Sequence, residues 1–232
     1  MQTQSLPVTF SLIAACVVVY VGIALSSVPA TPLNIGLISQ PSGALSAGAL
    51  VPALVSGGEV WRIASSMFLH SGLVHILMNM VSLFFLGSFV EPLFGRARFL
   101  ALYLLSGLSG GVAYLYFGGF DTPAVGASGA IFGLLGGIFG YALRERSFSW
   151  SNPVIRQLLI LLAINLYIGF SIPNVSNTAH LGGLAGGALF GLLIAPAVSQ
   201  SAKRRKSFVP VAAVLLAEVA LIALWLIVFA EA

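Results

Sequence analysis

Long apolar runs separated by short polar or basic stretches make up most of the chain. Each run can form a helix of about 20 residues, the length that spans the hydrocarbon core of a bilayer. The runs lie at about residues 7–28, 72–90, 99–117, 128–143, 153–170, 178–198 and 208–230. The pattern therefore predicts an all-α membrane protein, a polytopic bundle of seven transmembrane helices.

The segments between these runs are too short to fold alone, which predicts one bundled domain. We expect a six-helix core over residues 1–200, a basic cytoplasmic linker over 201–207 and a seventh helix after it. The stretch 29–58 is rich in Pro, Gly, Ser and Ala and indicates a long loop. The loop ends near Trp61 and Arg62, an aromatic and a charged residue of the kind found at membrane interfaces.

Composition and charge agree with a membrane protein. The chain is 59% hydrophobic and 7% charged, whereas about a quarter of the residues in a soluble domain are charged. Its formal net charge is +4, but the basic residues fall in short clusters after the second, fourth and sixth helices. The positive-inside rule makes these loops cytoplasmic, which favours a topology signal over nucleic-acid binding. The amino terminus is then cytoplasmic, and Arg62 is an exception on the outer side.

Candidate chemistry lies at the outer ends of three predicted helices. The chain has three histidines, of which His70 and His75 lie at the head of the second helix and His180 near the head of the sixth. Ser128 begins the fourth helix, within the glycine-rich stretch 126–140. The topology thus places these side chains at a common depth.

A serine hydroxyl attacks a carbonyl only if a base takes its proton, and imidazole titrates in a suitable range. This pairing favours Ser128 as nucleophile and His180 as general base, over a cap or packing role for the serine. His75 and Asn79 are four residues apart on one helical face. They are candidate oxyanion donors beside the Ser128 N–H, with interhelical hydrogen bonding as the alternative. His70 is five residues from His75 and is expected to point elsewhere.

Stripes of small residues predict that the fourth and sixth helices pack closely. The glycines concerned are Gly129, Gly133 and Gly137 in the fourth helix, and Gly183 and Gly187 in the sixth. Such stripes let two helix backbones approach each other. Close approach would bring Ser128 within reach of His180.

No carboxylate has a clear place beside His180. Glu59 and Asp121 are loop residues and stay open as orienting acids. The three acidic residues that the topology places away from the outer ends are Glu91, Glu145 and Glu218. The sequence therefore favours a Ser–His dyad whose histidine is oriented by packing. We interpret Glu218 as a neutral, hydrogen-bonded packing residue outside the site.

Other intramembrane chemistries fit less well. Asp121 is the only aspartate, whereas an aspartyl protease needs two in the membrane. Between His70 and His75 the chain reads Ser, Gly, Leu, Val, which lacks the glutamate of a His-Glu-x-x-His zinc helix. A three-histidine metal site stays open as an alternative, although few residues remain to support it. Neither a cofactor nor a metal is expected, and the single Cys16 cannot form an intrachain disulfide.

Together these residues resemble the rhomboid family of intramembrane serine proteases. The matching motifs are Gly126-Ala127-Ser128-Gly129, Ala179-His180 followed by Gly183 and Gly187, and His75 to Asn79, with Trp61-Arg62 and with Gly87, Glu91 and Gly95 in addition. The seventh helix after a basic linker resembles the six-plus-one arrangement in part of the family. One departure is Phe132, where some members have a tyrosine against the catalytic histidine.

The resemblance implies a serine endopeptidase that cuts transmembrane helices of other proteins near the outer boundary of a bacterial inner membrane. Its partners would be these substrates and the lipid bilayer. One alternative is a non-enzymatic membrane chaperone that binds transmembrane helices. Such relatives lack the serine or the histidine, and this chain has both. A channel or transporter is a weaker alternative, because polar residues are not distributed across the full depth.

Overall fold

The computed structural model of the protein describes residues 5–26, 43–171, 175–194 and 209–229. In these ranges most residues are helical. The elements are α1 (Pro7–Ser26), α2 (Gly43–Ser46), α3 (Pro52–Ser56), α4 (Arg62–Ser65), a 3-10 turn (Ser66–Phe68), α5 (Leu73–Phe94), α6 (Arg96–Phe117), α7 (Ser128–Arg144), α8 (Pro153–Ser171), α9 (Asn177–Leu193) and α10 (Val209–Phe229).

The predicted all-α, multi-pass membrane fold is confirmed. Among the described residues, five helices are long and apolar enough to cross a membrane, namely α1, α5, α6, α8 and α10. Helix α7 is apolar but has 17 residues, and α9 also has 17. The count of seven spans stays a prediction.

Two helices end more than two residues away from the predicted bounds. Helix α5 continues through Pro92 to Phe94, beyond the predicted end at residue 90. Pro92 lacks one backbone N–H, but it lies in the last turn and does not stop the helix. The helix ends at Gly95, which has a positive φ of 79°. Helix α9 ends at Leu193, because Ile194 is extended at φ −113° and ψ 113°. The predicted end at residue 198 lies outside the described residues.

Helix α9 lies against α7 with backbone touching backbone. A Cβ added at Gly183, Gly187 or Gly191 would collide with a carbonyl oxygen of α7, those of Gly129, Gly133 and Gly137 respectively. From the α7 side, a Cβ at Gly136 or Gly140 would collide with the carbonyl of Leu184 or Ala188. Only glycine permits this approach, because any larger residue would separate the helices.

The other side of α9 lies against α6. A Cβ at Gly110 of α6 would lie 2.7 Å from the Ala179 carbonyl oxygen, and one at Gly182 of α9 would lie 2.8 Å from the Ser109 carbonyl oxygen. A Cβ at Gly137 would meet the Leu102 side chain of α6, and a Cβ at Gly133 would meet Ser106 of α6 and lie 3.1 Å from the Gly183 carbonyl oxygen of α9. Helices α6, α7 and α9 therefore form one tightly packed unit around small residues.

Glu91 fastens α1 to α5. Its carboxylate accepts hydrogen bonds from the N–H of Val8 at 3.1 Å and from the N–H and hydroxyl of Thr9 at 2.8 and 2.6 Å. The first-turn N–H groups of a helix lack partners within the helix and favour a negative charge. A Cβ at Gly87 would lie 2.6 Å from Thr9 Oγ1, so the glycine lets α1 approach.

Arg62 organises the loop before α5 rather than marking a membrane side. Its guanidinium pairs with Glu59 at 2.7 Å and lies 4.9 Å from the Trp61 ring centroid. It also donates to the carbonyls of Leu45 at 2.7 Å and Ala49 at 3.0 Å. Its charge is matched locally, which explains an arginine apart from the basic clusters.

Helix α10 is anchored to α6 by polar contacts. Trp225 Nε1 donates to the Leu115 carbonyl at 2.9 Å, and the Tyr116 hydroxyl donates to the Leu221 carbonyl at 2.8 Å. The Glu218 carboxyl accepts from Ser109 Oγ at 2.5 Å. Buried polar groups in a membrane helix need such partners, so Glu218 is hydrogen-bonded as interpreted from the sequence.

The packing of α9 on α7 predicts a stability effect. Gly187→Ala should lower the free energy of unfolding by about 1–3 kcal/mol, because the new methyl group overpacks a backbone contact. The matched control is Gly22→Ala in α1, where nothing lies within 4 Å of the added Cβ. Denaturation of the purified protein in detergent measures both. Equal stability of Gly187→Ala and the native protein would contradict this packing.

Candidate active site

Ser128 begins α7 at the end of a loop that is held in place by backbone hydrogen bonds. The Gly126 N–H donates to the Ser66 carbonyl at 2.9 Å, and Leu50 and Ala124 form an isolated antiparallel bridge. The preceding Ala127 is fully buried. These contacts fix the direction in which Ser128 enters the helix.

The structure brings Ser128 and His180 together. Ser128 Oγ lies 2.8 Å from His180 Nε2, a hydrogen-bond distance across α7 and α9. His180 lies in the first turn of α9, where Ser176 caps the helix by accepting from the Ala179 N–H at 3.2 Å. The cap and the glycine contacts below it therefore set the position of the imidazole.

His180 is oriented by an aromatic ring. The Phe132 ring lies parallel to the imidazole, with centroids 4.2 Å apart and an angle of 6° between the planes. His180 is 6% exposed, and within the described part of the chain its Nδ1 has no hydrogen-bond partner. Phe132 lies four residues after Ser128, one helical turn away, so the same helix supplies both contacts to the imidazole.

The carboxylates of the described residues are engaged elsewhere or exposed. Glu59 pairs with Arg62, Glu91 caps α1, and Glu218 binds Ser109. The other two are Asp121, in an exposed loop, and Glu145, 3.8 Å from Arg144. Neither of the two loop acids left open by the sequence hydrogen-bonds to His180 Nδ1.

His75 faces the same space from α5. Its Nδ1 accepts the Ser71 N–H at 3.3 Å and lies 2.9 Å from the Ser71 hydroxyl. In the neutral ring, an Nδ1 that accepts leaves the proton on Nε2. A Cβ at Gly126 would lie 2.9 Å from this Nε2 and 3.6 Å from Ser128 Oγ. The missing side chain of Gly126, whose φ is +132°, thus leaves room between His75 and Ser128.

Asn79 lies one turn below His75 on α5 and is 6% exposed. Its Nδ2 donates to the His75 carbonyl at 2.9 Å, while Oδ1 has no hydrogen-bond partner among the described residues. One amide hydrogen is therefore bound to the helix backbone. The second amide hydrogen is available for another acceptor.

The prediction that His70 points away from His75 is wrong. The two rings meet edge to face, with centroids 5.2 Å apart and 66° between the planes. Helical spacing does not apply, because His70 precedes α5, which begins at Leu73. His70 is 2% exposed. Burial, with a smaller contribution from His75, lowers the pKa of His70 to about 3, so this ring is neutral at pH 7.

Within the described ranges, no group of three His, Cys, Asp or Glu side chains lies close enough to hold a metal ion. The alternative of a three-histidine site therefore has no ligand cluster there. Three supporting residues escaped the sequence analysis, namely Ser66, Ser71 and Ser176. Each acts through a loop or cap contact that hydropathy does not reveal, although a serine before an apolar helix is a common cap signal.

Comparisons with known proteins agree with this architecture. The family model described as "Rhomboid domain" matches residues 57–197. The chain is similar to "Rhomboid protease GluP" of Bacillus subtilis, with 38% identity over 140 residues, which cover 60% of this chain and 27% of that protein. It is also similar to "RHOMBOID-like protein 4" of Arabidopsis thaliana, with 44% identity over 153 residues, covering 63% of this chain and 37% of that protein.

A third similar protein is "Putative rhomboid protease YdcA" of Bacillus subtilis, with 36% identity over 139 residues, covering 60% of this chain and 69% of that protein. The chain spans less than half the length of GluP and of RHOMBOID-like protein 4. The family match includes the helices that carry Ser128, His75 and His180. The chain therefore belongs to the rhomboid family.

Proposed function

We propose that this protein is an intramembrane serine endopeptidase that hydrolyses peptide bonds in or near the transmembrane helices of other membrane proteins. The observation that carries the proposal is the 2.8 Å distance between Ser128 Oγ and His180 Nε2. Further support comes from two similar proteins of Bacillus subtilis, one named a rhomboid protease and one a putative rhomboid protease.

Ser128 and His180 can together hydrolyse a peptide bond through an acyl-enzyme. His180 Nε2 takes the proton of Ser128 Oγ as that oxygen bonds to the peptide carbonyl carbon. The protonated imidazole then gives the proton to the leaving amine, and the C–N bond breaks. Water repeats the sequence on the acyl-enzyme, which releases the carboxylate and restores the serine.

Three donors are proposed to stabilise the tetrahedral oxyanion. Nε2–H of His75 faces the space beside Ser128 that Gly126 leaves open. The Ser128 N–H belongs to the first turn of α7, where backbone N–H groups lack helical partners. Asn79 would contribute its second amide hydrogen after a small side-chain rotation. Donors already aimed at a developing charge lower the barrier more than donors that must reorient.

The substrate class follows from the chemistry of a membrane helix. Its peptide carbonyls are hydrogen-bonded within the helix and must be freed before a serine can attack them. Substrates should therefore carry small or helix-weakening residues near the cut. Access would run past α8, of whose residues only Ile155 and Gly169 are buried. The family resemblance also implies that the loop 171–177 covers the site, and part of that loop lies outside the described residues.

We further propose a bacterial inner-membrane location with a cytoplasmic amino terminus and the dyad toward the outer face. The basic clusters after the second, fourth and sixth predicted helices support this orientation. The alternative function is a membrane chaperone that binds transmembrane helices without cutting them. The presence of both Ser128 and His180 in contact favours the enzyme.

The dyad predicts loss of activity from either partner. Ser128→Ala and His180→Ala should each reduce cleavage of a model single-span substrate by about a millionfold, the scale found when a catalytic serine or histidine is removed. Both should also abolish labelling by a fluorophosphonate, which needs an activated serine. Ser88→Ala is the control, because Ser88 is exposed and its hydroxyl donates to the Phe85 carbonyl of its own helix, with no other hydrogen bond among the described residues. Cleavage by purified Ser128→Ala protein would refute the proposal.

The oxyanion assignment predicts graded effects. His75→Ala and Asn79→Ala should each lower kcat by about tenfold to a thousandfold with little change in KM, because the donors act mainly in the transition state. Ser71→Ala should have a smaller effect, since it removes only the hydroxyl beside His75 Nδ1. Steady-state kinetics in detergent measure all three. Unchanged kcat in His75→Ala and Asn79→Ala would remove these residues from the site.

A further inference from the structure

Ser109 of α6 lies where α6, α9 and α10 meet. Its Oγ donates to Glu218 Oε1 of α10 at 2.5 Å. A Cβ added at Gly186 of α9 would lie 2.5 Å from the Cβ of Ser109. A Cβ added at Gly182 of α9 would lie 2.8 Å from the carbonyl oxygen of Ser109. A single residue of α6 thus contacts a buried carboxyl on one side and the backbone of α9 on the other.

The next residue continues this contact toward the dyad. The Cβ position of Gly110 lies 2.7 Å from the Ala179 carbonyl oxygen, and that of Gly129, next to Ser128, lies 3.3 Å from the same oxygen. Ala179 immediately precedes His180. The turn of α6 at residues 109–110 therefore separates Glu218 from the turn of α9 that carries His180.

Attachment of α10 to α6 does not by itself account for the Glu218 carboxyl. Trp225 and Tyr116 already form two hydrogen bonds between α10 and α6. Glu218 is 5% exposed, and in the described ranges its Oε2 has no hydrogen-bond partner. A carboxyl in a membrane helix is unfavourable unless it is paired or functional.

We infer that Glu218 is a positioning residue for the dyad. Through the hydrogen bond to the Ser109 hydroxyl, it holds the α6 turn at residues 109–110 in position against α9 and keeps His180 within reach of Ser128. The inference rests on the proposed function, and it assigns a role to α10 in that function. The carboxyl touches neither the substrate nor the reacting atoms.

The test compares Glu218→Val, which removes the acceptor, with Glu218→Gln, which keeps an acceptor oxygen. Glu218→Val and Ser109→Ala should each lower kcat and the fluorophosphonate labelling rate by about ten- to a hundredfold, the effect of displacing a catalytic group by about 1 Å. KM should be unchanged. Glu218→Gln should restore most of the rate, and the double variant should lose no more than either single variant.

Tyr116→Phe is the matched control, because it also removes one hydrogen bond between α6 and α10. Its labelling rate should equal that of the native protein. A native protein that does not label at all refutes the proposed function. Native-like labelling of folded Glu218→Val, or equal slowing by Tyr116→Phe, overturns the inference instead. If Glu218→Val does not fold, Ser109→Ala decides in the same way, slowed labelling supporting the inference and an unchanged rate overturning it.

Discussion

The architecture depends on direct contact between the backbones of α7 and α9. In a membrane, lipid tails are as apolar as the side chains, so helices associate through close van der Waals packing and polar contacts. Gly183 and Gly187 reach the carbonyls of Gly129 and Gly133 because neither helix has a side chain there. The contact fixes the distance between the first turns of the two helices. Ser128 and His180 lie in those turns.

Buried polar groups at the joints between helices complete this frame. Glu91 fastens α1 to α5, Arg62 ties the loop before α5 together, and Glu218 joins α10 to α6. Each is held by partners within the protein, as a polar group must be in an apolar medium. None contacts His180, whose ring is instead held by stacking on Phe132. In the proposed dyad, stacking on Phe132 would therefore orient the His180 ring, the role that a carboxylate has in a catalytic triad.

Much of the fold could be predicted from the sequence, because apolar runs of membrane length are a strong signal. The residues that come together at the site could be named because the predicted topology placed them at one depth. The contacts that could not be predicted are those between residues of different elements, whose distances the sequence does not specify. The His70 ring contacts the His75 ring because His70 lies in the loop before α5 and does not follow helical spacing. Gly126 leaves space between His75 and Ser128 because it has no side chain. The contact of Glu218 with Ser109 joins residues 109 positions apart, which no local pattern reveals.

The central claim is that backbone contact between α7 and α9 sets the distance between Ser128 and His180 on which the proposed catalysis depends. Gly183→Ala tests it most directly, because the added methyl group would collide with the Gly129 carbonyl, next to Ser128, while neither Ser128 nor His180 is itself substituted. The measurement is the rate of fluorophosphonate labelling per folded protein, with Gly22→Ala as control. The account predicts labelling slowed by at least about tenfold in Gly183→Ala. Labelling at the native rate in that folded variant would contradict it.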